Sequence, residues 1–76
     1  MQDIPFELRG EYIELDKLLK ATGLADSGGV ARMMITESQV QVDGQTELRK
    51  TAKIRAGQVV SLQGARIKVL ADPLQD

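Results

Sequence analysis

The sequence predicts an α+β fold of two short helices packed on a small, mostly antiparallel sheet of hairpins. Three observations carry this. Two consecutive segments space their apolar residues as helices do, the period then switches to two, and Gly-bearing tight turns divide the alternating runs that follow. The 76 residues, 8.3 kDa in all, have room for one core, and a domain of this size buries only about 60–65% of the surface its unfolded chain exposes. We therefore read residues 1–76 as a single domain, with residues 71–76 as a frayed tail.

The first element is the alternation of Pro5, Phe6, Glu7, Leu8 and Arg9 before Gly10, a short strand pointing Phe6 and Leu8 inward. Leu15, Leu18 and Leu19 then stand at i, i+3 and i+4, with Asp16, Lys17 and Lys20 opposite and Gly23 as the stop, which describes an amphipathic helix. Residues 25–27 supply N-cap candidates for a second helix, whose stripe of Val30, Ala31, Met34 and Ile35 runs to about Ser38. Val40 and Val42 open the alternating half. Asp43-Gly44 is a strong hairpin signal, because both central residues of a type I′ turn need positive φ. A basic stretch over residues 49–55 leads to a turn at residues 56–58, and a second hairpin pairs residues 59–62 with residues 66–70 across Gln63-Gly64.

The chain holds neither cysteine nor histidine. This removes disulfides, thiolate chemistry, the commonest general base and the commonest zinc ligand. Ser27, Ser38 and Ser61 have no histidine to activate them, and the scattered carboxylates form no acid/base pair or metal site, so no catalytic residue, metal or cofactor is expected. No basic leader with an apolar run opens the sequence, and no stretch approaches the roughly 18 apolar residues of a membrane span. A cytoplasmic protein without a membrane partner is expected.

The net charge of −1 conceals a strong segregation. Residues 1–48 carry nine acids and four bases, residues 49–68 six bases and no acid, and the last eight residues two acids. Salt screens beyond about 8–10 Å, so a local run of this kind either makes an anion-binding face or is an ordinary solvated surface.

The order of elements and the residues at their joints resemble the S-four-type RNA-binding domain, named after a small-subunit ribosomal protein. The resemblance rests on Leu15-Asp16-Lys17-Leu18-Leu19, on Ser27 and Ala31 before Met34-Ile35, on Val40-Gln41-Val42-Asp43-Gly44, and on the run from Lys53-Ile54-Arg55 through Gly57-Gln58-Val59-Val60. It covers roughly residues 13–62. With a strand added before it and a hairpin after it, the chain looks like the short stand-alone bacterial proteins of this family. The resemblance implies an αL motif of two helices beside a hairpin, and binding to structured RNA, ribosomal or transfer RNA above all. There are three departures: Gly28 and Gly29 follow Ser27 where the family has Arg, Ser38 replaces a Gly, and Asp43 replaces an Asn.

For the contact itself, Arg49, Lys50, Lys53 and Arg55 put four bases in seven residues. If extended, the stretch sets Arg49, Lys53 and Arg55 on one face and Lys50, Ala52 and Ile54 on the other; a loop there would change the grouping. Ser27, Gly28 and Gly29 enter the second helix, where free amides and the helix dipole suit a phosphate, although a tight joint would need the same small residues. Arg32, one turn in and expected in solvent, could add a charge-assisted contact. Lys17 is a lesser candidate because Glu14 and Asp16 compete for it. Arg66 and Lys68 read as the exposed face of a strand, where, if the strand is an edge, Lys also guards against edge-to-edge pairing. Phe6 and Tyr12 are the only aromatics, too few for a platform that stacks successive bases, which points to folded RNA recognised by shape.

The expectation is thus a non-catalytic module for structured RNA, with the ribosome or a ribosome-associated protein as a further partner and no small-molecule substrate. The alternative is a small protein–protein adaptor that uses the acidic first half or an exposed sheet edge.

Overall fold

The computed structural model describes residues 2–74. Strand β1 (Gln2–Glu7) is followed by β2 (Ile13–Glu14), helix α1 (Leu15–Ala21), helix α2 (Gly28–Thr36), β3 (Gln41–Val42), β4 (Gln45–Thr46), β5 (Lys53–Ile54), β6 (Val59–Leu62) and β7 (Ala65–Leu70). Five strands form one sheet in the order β1-β7-β6-β3-β4, and β2 pairs with β5 in a second, two-stranded sheet. All pairings are antiparallel except β1 with β7, which is parallel in the register Gln2 to Ala65 through Glu7 to Leu70.

Alternation builds the large sheet. Along β7, Ala65, Ile67 and Val69 are buried while Arg66, Lys68 and Leu70 are exposed, and Val60 and Leu62 of β6 face the same core. The first strand begins earlier than its sequence pattern indicates, because β7 offers a partner to every residue from Gln2 onward. Phe6 is half-buried and Leu8, just past the strand, is fully buried. Pro5 is tolerated because β1 is an edge strand and one side of it needs no donor. Arg66 and Lys68 do lie on the exposed face of a strand, but that strand is not an edge and Lys68 guards none. Strand β7 is internal, and the two bases share Asp3 of β1, with Arg66 Nε 3.1 Å from Oδ1 and Lys68 Nζ 3.9 Å from Oδ2.

The helices close the core from the other side: Leu15, Leu18, Leu19, Ala31 and Ile35 are fully excluded from solvent, together with Val40, Val60 and Ile67. A helix of seven residues is too short to persist alone, so packing and capping hold it. Thr22 caps the end of α1, its hydroxyl donating to the carbonyls of Leu18 and Leu19. Ser27 caps the start of α2 by accepting the Val30 amide at 3.2 Å. That helix ends in a Schellman-type turn: Ser38, at φ +63°, donates to Ile35, and Gln39 donates to Met34. The Gly that the resemblance implies at this position is therefore replaced without loss of the turn, at a cost of about 1 kcal/mol for a side chain in the left-handed region.

Asp43 and Gly44 both have positive φ, as the type I′ hairpin requires. Asp43 does more than turn. Its carboxylate accepts the Val59 amide at 2.9 Å and so ties the β3–β4 hairpin to β6. In the tail, Asp72 accepts the Gly10 amide at 2.7 Å and the Leu74 amide at 2.9 Å. Residues 75 and 76 of the segment expected to fray lie outside the described residues.

Candidate nucleic-acid interface

Glu14 precedes α1 without a side-chain cap, so the first amides of the helix must find partners elsewhere. They find them in the basic segment. Leu15 donates to the Ala52 carbonyl at 2.9 Å and Asp16 to the Lys50 carbonyl at 3.1 Å. To offer those carbonyls the chain turns at residues 50–51, and only Lys53–Ile54 continue as strand. The seven-residue extended stretch is not formed. Ala52 and Ile54 are still buried, but Lys50 leaves their face and is exposed on the turn, while Arg49, Lys53 and Arg55 are exposed around it.

The bases of this segment differ in what holds them. Arg49 is clamped by Glu47 in a two-point pair at 3.0 and 3.2 Å. The Glu47 carboxyl is correspondingly held below the usual range, first by that side-chain bond and then by the Arg49 amide. Among the described residues no carboxylate lies within 4 Å of Lys50, Lys53 or Arg55. A pocket of about 380 Å³ opens between Arg49, Thr51, Ala52 and Lys53.

Lys53 and Arg55 have instead an aromatic neighbour that sequence reasoning did not select. Strands β2 and β5 pair Ile13 with Ile54 and Glu14 with Lys53, and one step further sets Tyr12 opposite Arg55. Lys53 Nζ lies 5.0 Å and Arg55 Cζ 5.7 Å from the centroid of the Tyr12 ring, within cation–π range. Tyr12 sits in a stretch with no regular period, so only the strand register brings it to the bases.

The helix entrance departs from expectation at Asp16 and Arg32. Helical spacing sets Asp16 opposite the leucines, in solvent, yet it is 6% exposed. Helix α2 packs against that flank of α1 and the residue 50–52 segment covers the helix start, so Asp16 is enclosed from two sides. One carboxylate oxygen accepts the Lys17 amide at 2.8 Å; the other holds Arg32 Nη1 at 3.3 Å. Arg32 is thus paired rather than free, though its side chain stays half exposed. A Cβ on Gly28 would lie 3.2 Å from the same Nη1. The glycine makes room for the guanidinium, whereas at Gly29 the nearest atom to a Cβ is the Ser27 hydroxyl at 3.8 Å.

Asp16 is the joint of the whole face: its side chain holds Arg32 at the α2 entrance and its amide holds the Lys50 carbonyl. Lys17, on the same turn, is exposed and bound to Glu14 at 2.9 Å, which raises its pKa. The structure therefore brings Arg32, Gly28, Lys17 and Lys50 around one short helix start, with Lys53 on β5 and Arg55 just past it.

A model of the S4 domain matches residues 6–70. The chain belongs to the S4 domain family. Among curated proteins it is 48% identical over 60 residues to "Putative RNA-binding protein YbcJ" of Escherichia coli (strain K12), covering 79% of this chain and 86% of that one. It is 32% identical over 60 residues to "Probable ribosome maturation protein RlbA" of Bacillus subtilis (strain 168), covering 79% and 84%. Its fold is similar to the solution structure of E. coli YbcJ, described as revealing an αL motif involved in RNA binding, with a TM-score of 0.67 and 42% identity over 93% of this chain and 89% of that one. The fold expected from the sequence is the family's fold, and the family match takes in the end of β1 and the whole β6–β7 hairpin.

Proposed function

We propose that this S4 domain chain is a non-catalytic module that holds structured RNA by its phosphate backbone, with ribosomal RNA as the partner class. The observation that carries the reading is the set of Lys50, Lys53 and Arg55, exposed and without an acidic partner among the described residues, beside the start of α1. Bases left without a partner are those whose bound counterions a polyanion can displace, which is the main source of backbone affinity. Arg49 joins them when RNA phosphate competes with Glu47. Arg32, poised over Gly28, extends the track to the α2 entrance, where Ser27 and Gly29 complete the helix start, and Lys17 supplies a peripheral charge. The name of the relative RlbA speaks for a role in ribosome maturation.

With about four phosphates neutralised, affinity should fall roughly three decades per decade of salt. The adaptor alternative has less to stand on: β4 is two residues long, and the β1 edge is interrupted by Pro5 and lined with Asp3 and Glu7. The test is fluorescence anisotropy with folded ribosomal and transfer RNA fragments against matched duplex DNA across a salt series. Saturable, salt-sensitive, RNA-preferring binding is expected, and it should weaken about a hundredfold when Lys50, Lys53 and Arg55 become Gln in a variant whose circular dichroism is unchanged. Absence of binding to any folded RNA at low salt would sink the proposal.

A further inference from the structure

Tyr12 is an exposed aromatic (41%) in a chain whose other aromatic, Phe6, packs against the core. Its place follows from strand register. Ile13 packs against the core and Ile54 is buried within it, so their sequence neighbours Tyr12, Glu14, Lys53 and Arg55 face outward together. The ring therefore stands on the same surface as two of the three unpartnered bases of the basic segment, with their charges 5.0 and 5.7 Å from its centroid. With 41% of its surface exposed, the ring stays open to solvent while held beside its two cations.

Resting on the RNA-binding reading above, we propose that Tyr12 is a stacking site for one unpaired nucleotide of the bound RNA, with Lys53 and Arg55 on the phosphates beside that nucleotide. A single ring cannot track a single strand. It can take one base that a bulge, a loop or an overhang has already released from its stack, and folded RNAs are read mainly at such positions. The substrate class is accordingly a folded stem with an unpaired nucleotide next to the phosphates that the basic segment holds. A stacked base contributes the equivalent of about tenfold or more in affinity, whatever its identity.

The chain has one tyrosine and no tryptophan, so its intrinsic emission reports this site alone. The experiment titrates the full chain with an RNA hairpin carrying one bulged adenosine and with the same hairpin fully paired, following anisotropy of labelled RNA and tyrosine emission in parallel. The bulged hairpin is expected to quench the emission and to bind about tenfold more tightly than the paired one. Tyr12→Phe should preserve that preference and Tyr12→Leu should erase it, with the salt slope unchanged in both. Unquenched emission at saturation with the bulged hairpin, or an equal loss on both hairpins in Tyr12→Leu, would overturn the stacking site and leave Tyr12 as a spacer for its two cations. If neither hairpin binds the unaltered chain at low salt, the RNA-binding reading itself fails and takes the stacking site with it.

Discussion

Two basic regions of this molecule look alike in sequence and differ in the fold. Arg66 and Lys68 stand on β7, where the parallel docking of β1 delivers Asp3 to both of them. Lys50, Lys53 and Arg55 stand on a turn, a two-residue strand and the residue just past it, which no acidic element reaches within 4 Å among the described residues. A run of six bases is thus divided by an aspartate 63 positions away from Arg66. Exposed ion pairs contribute little to stability, about 0–1 kcal/mol, but they decide which cations have counterions to release. The run in the sequence is one feature; the surface holds two.

The strongest way to break this comparison is to neutralise each region separately. Replacing Lys50, Lys53 and Arg55 by Gln should lower RNA affinity about a hundredfold and cut the slope of log affinity against log salt by roughly two to three. The Arg66→Gln, Lys68→Gln pair should move affinity less than about threefold by the same counterion argument. Equal losses in anisotropy titrations would show that strand pairing with Asp3 does not matter.

The next test concerns Arg32. Arg32→Ala should weaken RNA binding roughly tenfold, as loss of one charge-assisted contact does, and destabilise the fold by about 1–2 kcal/mol in urea because it strips Asp16 of its ion-pair partner. Gly28→Ala separates the two effects. Its Cβ displaces only the flexible end of Arg32 while improving helix propensity, so stability should hold or rise slightly as RNA affinity falls about two- to threefold.

Much of this was legible in the sequence, and what was not shares one cause. The hairpin at Asp43-Gly44, the Ser27 cap and the leucine stripe of α1 are local signals, and each stands where its spacing puts it. The resemblance to the S-four-type domain led to the family. Asp16 was misplaced because helical periodicity separates an inner from an outer face but is blind to a flank, and here a second helix and a loop enclose that flank. Alternation identifies Arg66 and Lys68 as the outer face of a strand without naming that strand's neighbours, so it leaves edge and interior undistinguished. Tyr12 and the turn at residues 50–51 depend on the same missing information, the pairing of β2 with β5 and of helix amides with the Lys50 and Ala52 carbonyls.

A smaller effect sharpens the comparison inside the basic segment. Glu47→Gln releases Arg49 from its clamp and should raise RNA affinity up to about fivefold, with roughly one more unit of salt slope. The smallest effect is at Asp72, whose pKa is lowered by the Leu74 amide and then by the Gly10 amide. A depressed folded-state value means that its tether stabilises above the unfolded pKa of about 3.9 and fades as pH falls through the lower folded value. Nuclear magnetic resonance should therefore find the Asp72 midpoint below about 3.9, with the Gly10 amide shift moving in step; a midpoint at or above that value would contradict the tether.

The parallel pairing of β1 with β7 also bears on how the chain reaches its native state. Strand β1 has its partner 63 residues later, so it must wait while the helices and the local hairpins form, and contacts of such long separation close slowly. Until it docks, Arg66 and Lys68 lack Asp3, and the partly folded molecule presents two more unpartnered bases than the finished one. Pulsed hydrogen exchange during refolding should show the β1 amides protected last; early protection there would refute this order. Maturation of the fold would then narrow the molecule's attraction for polyanions, with the last strand to settle removing charge from the wrong face.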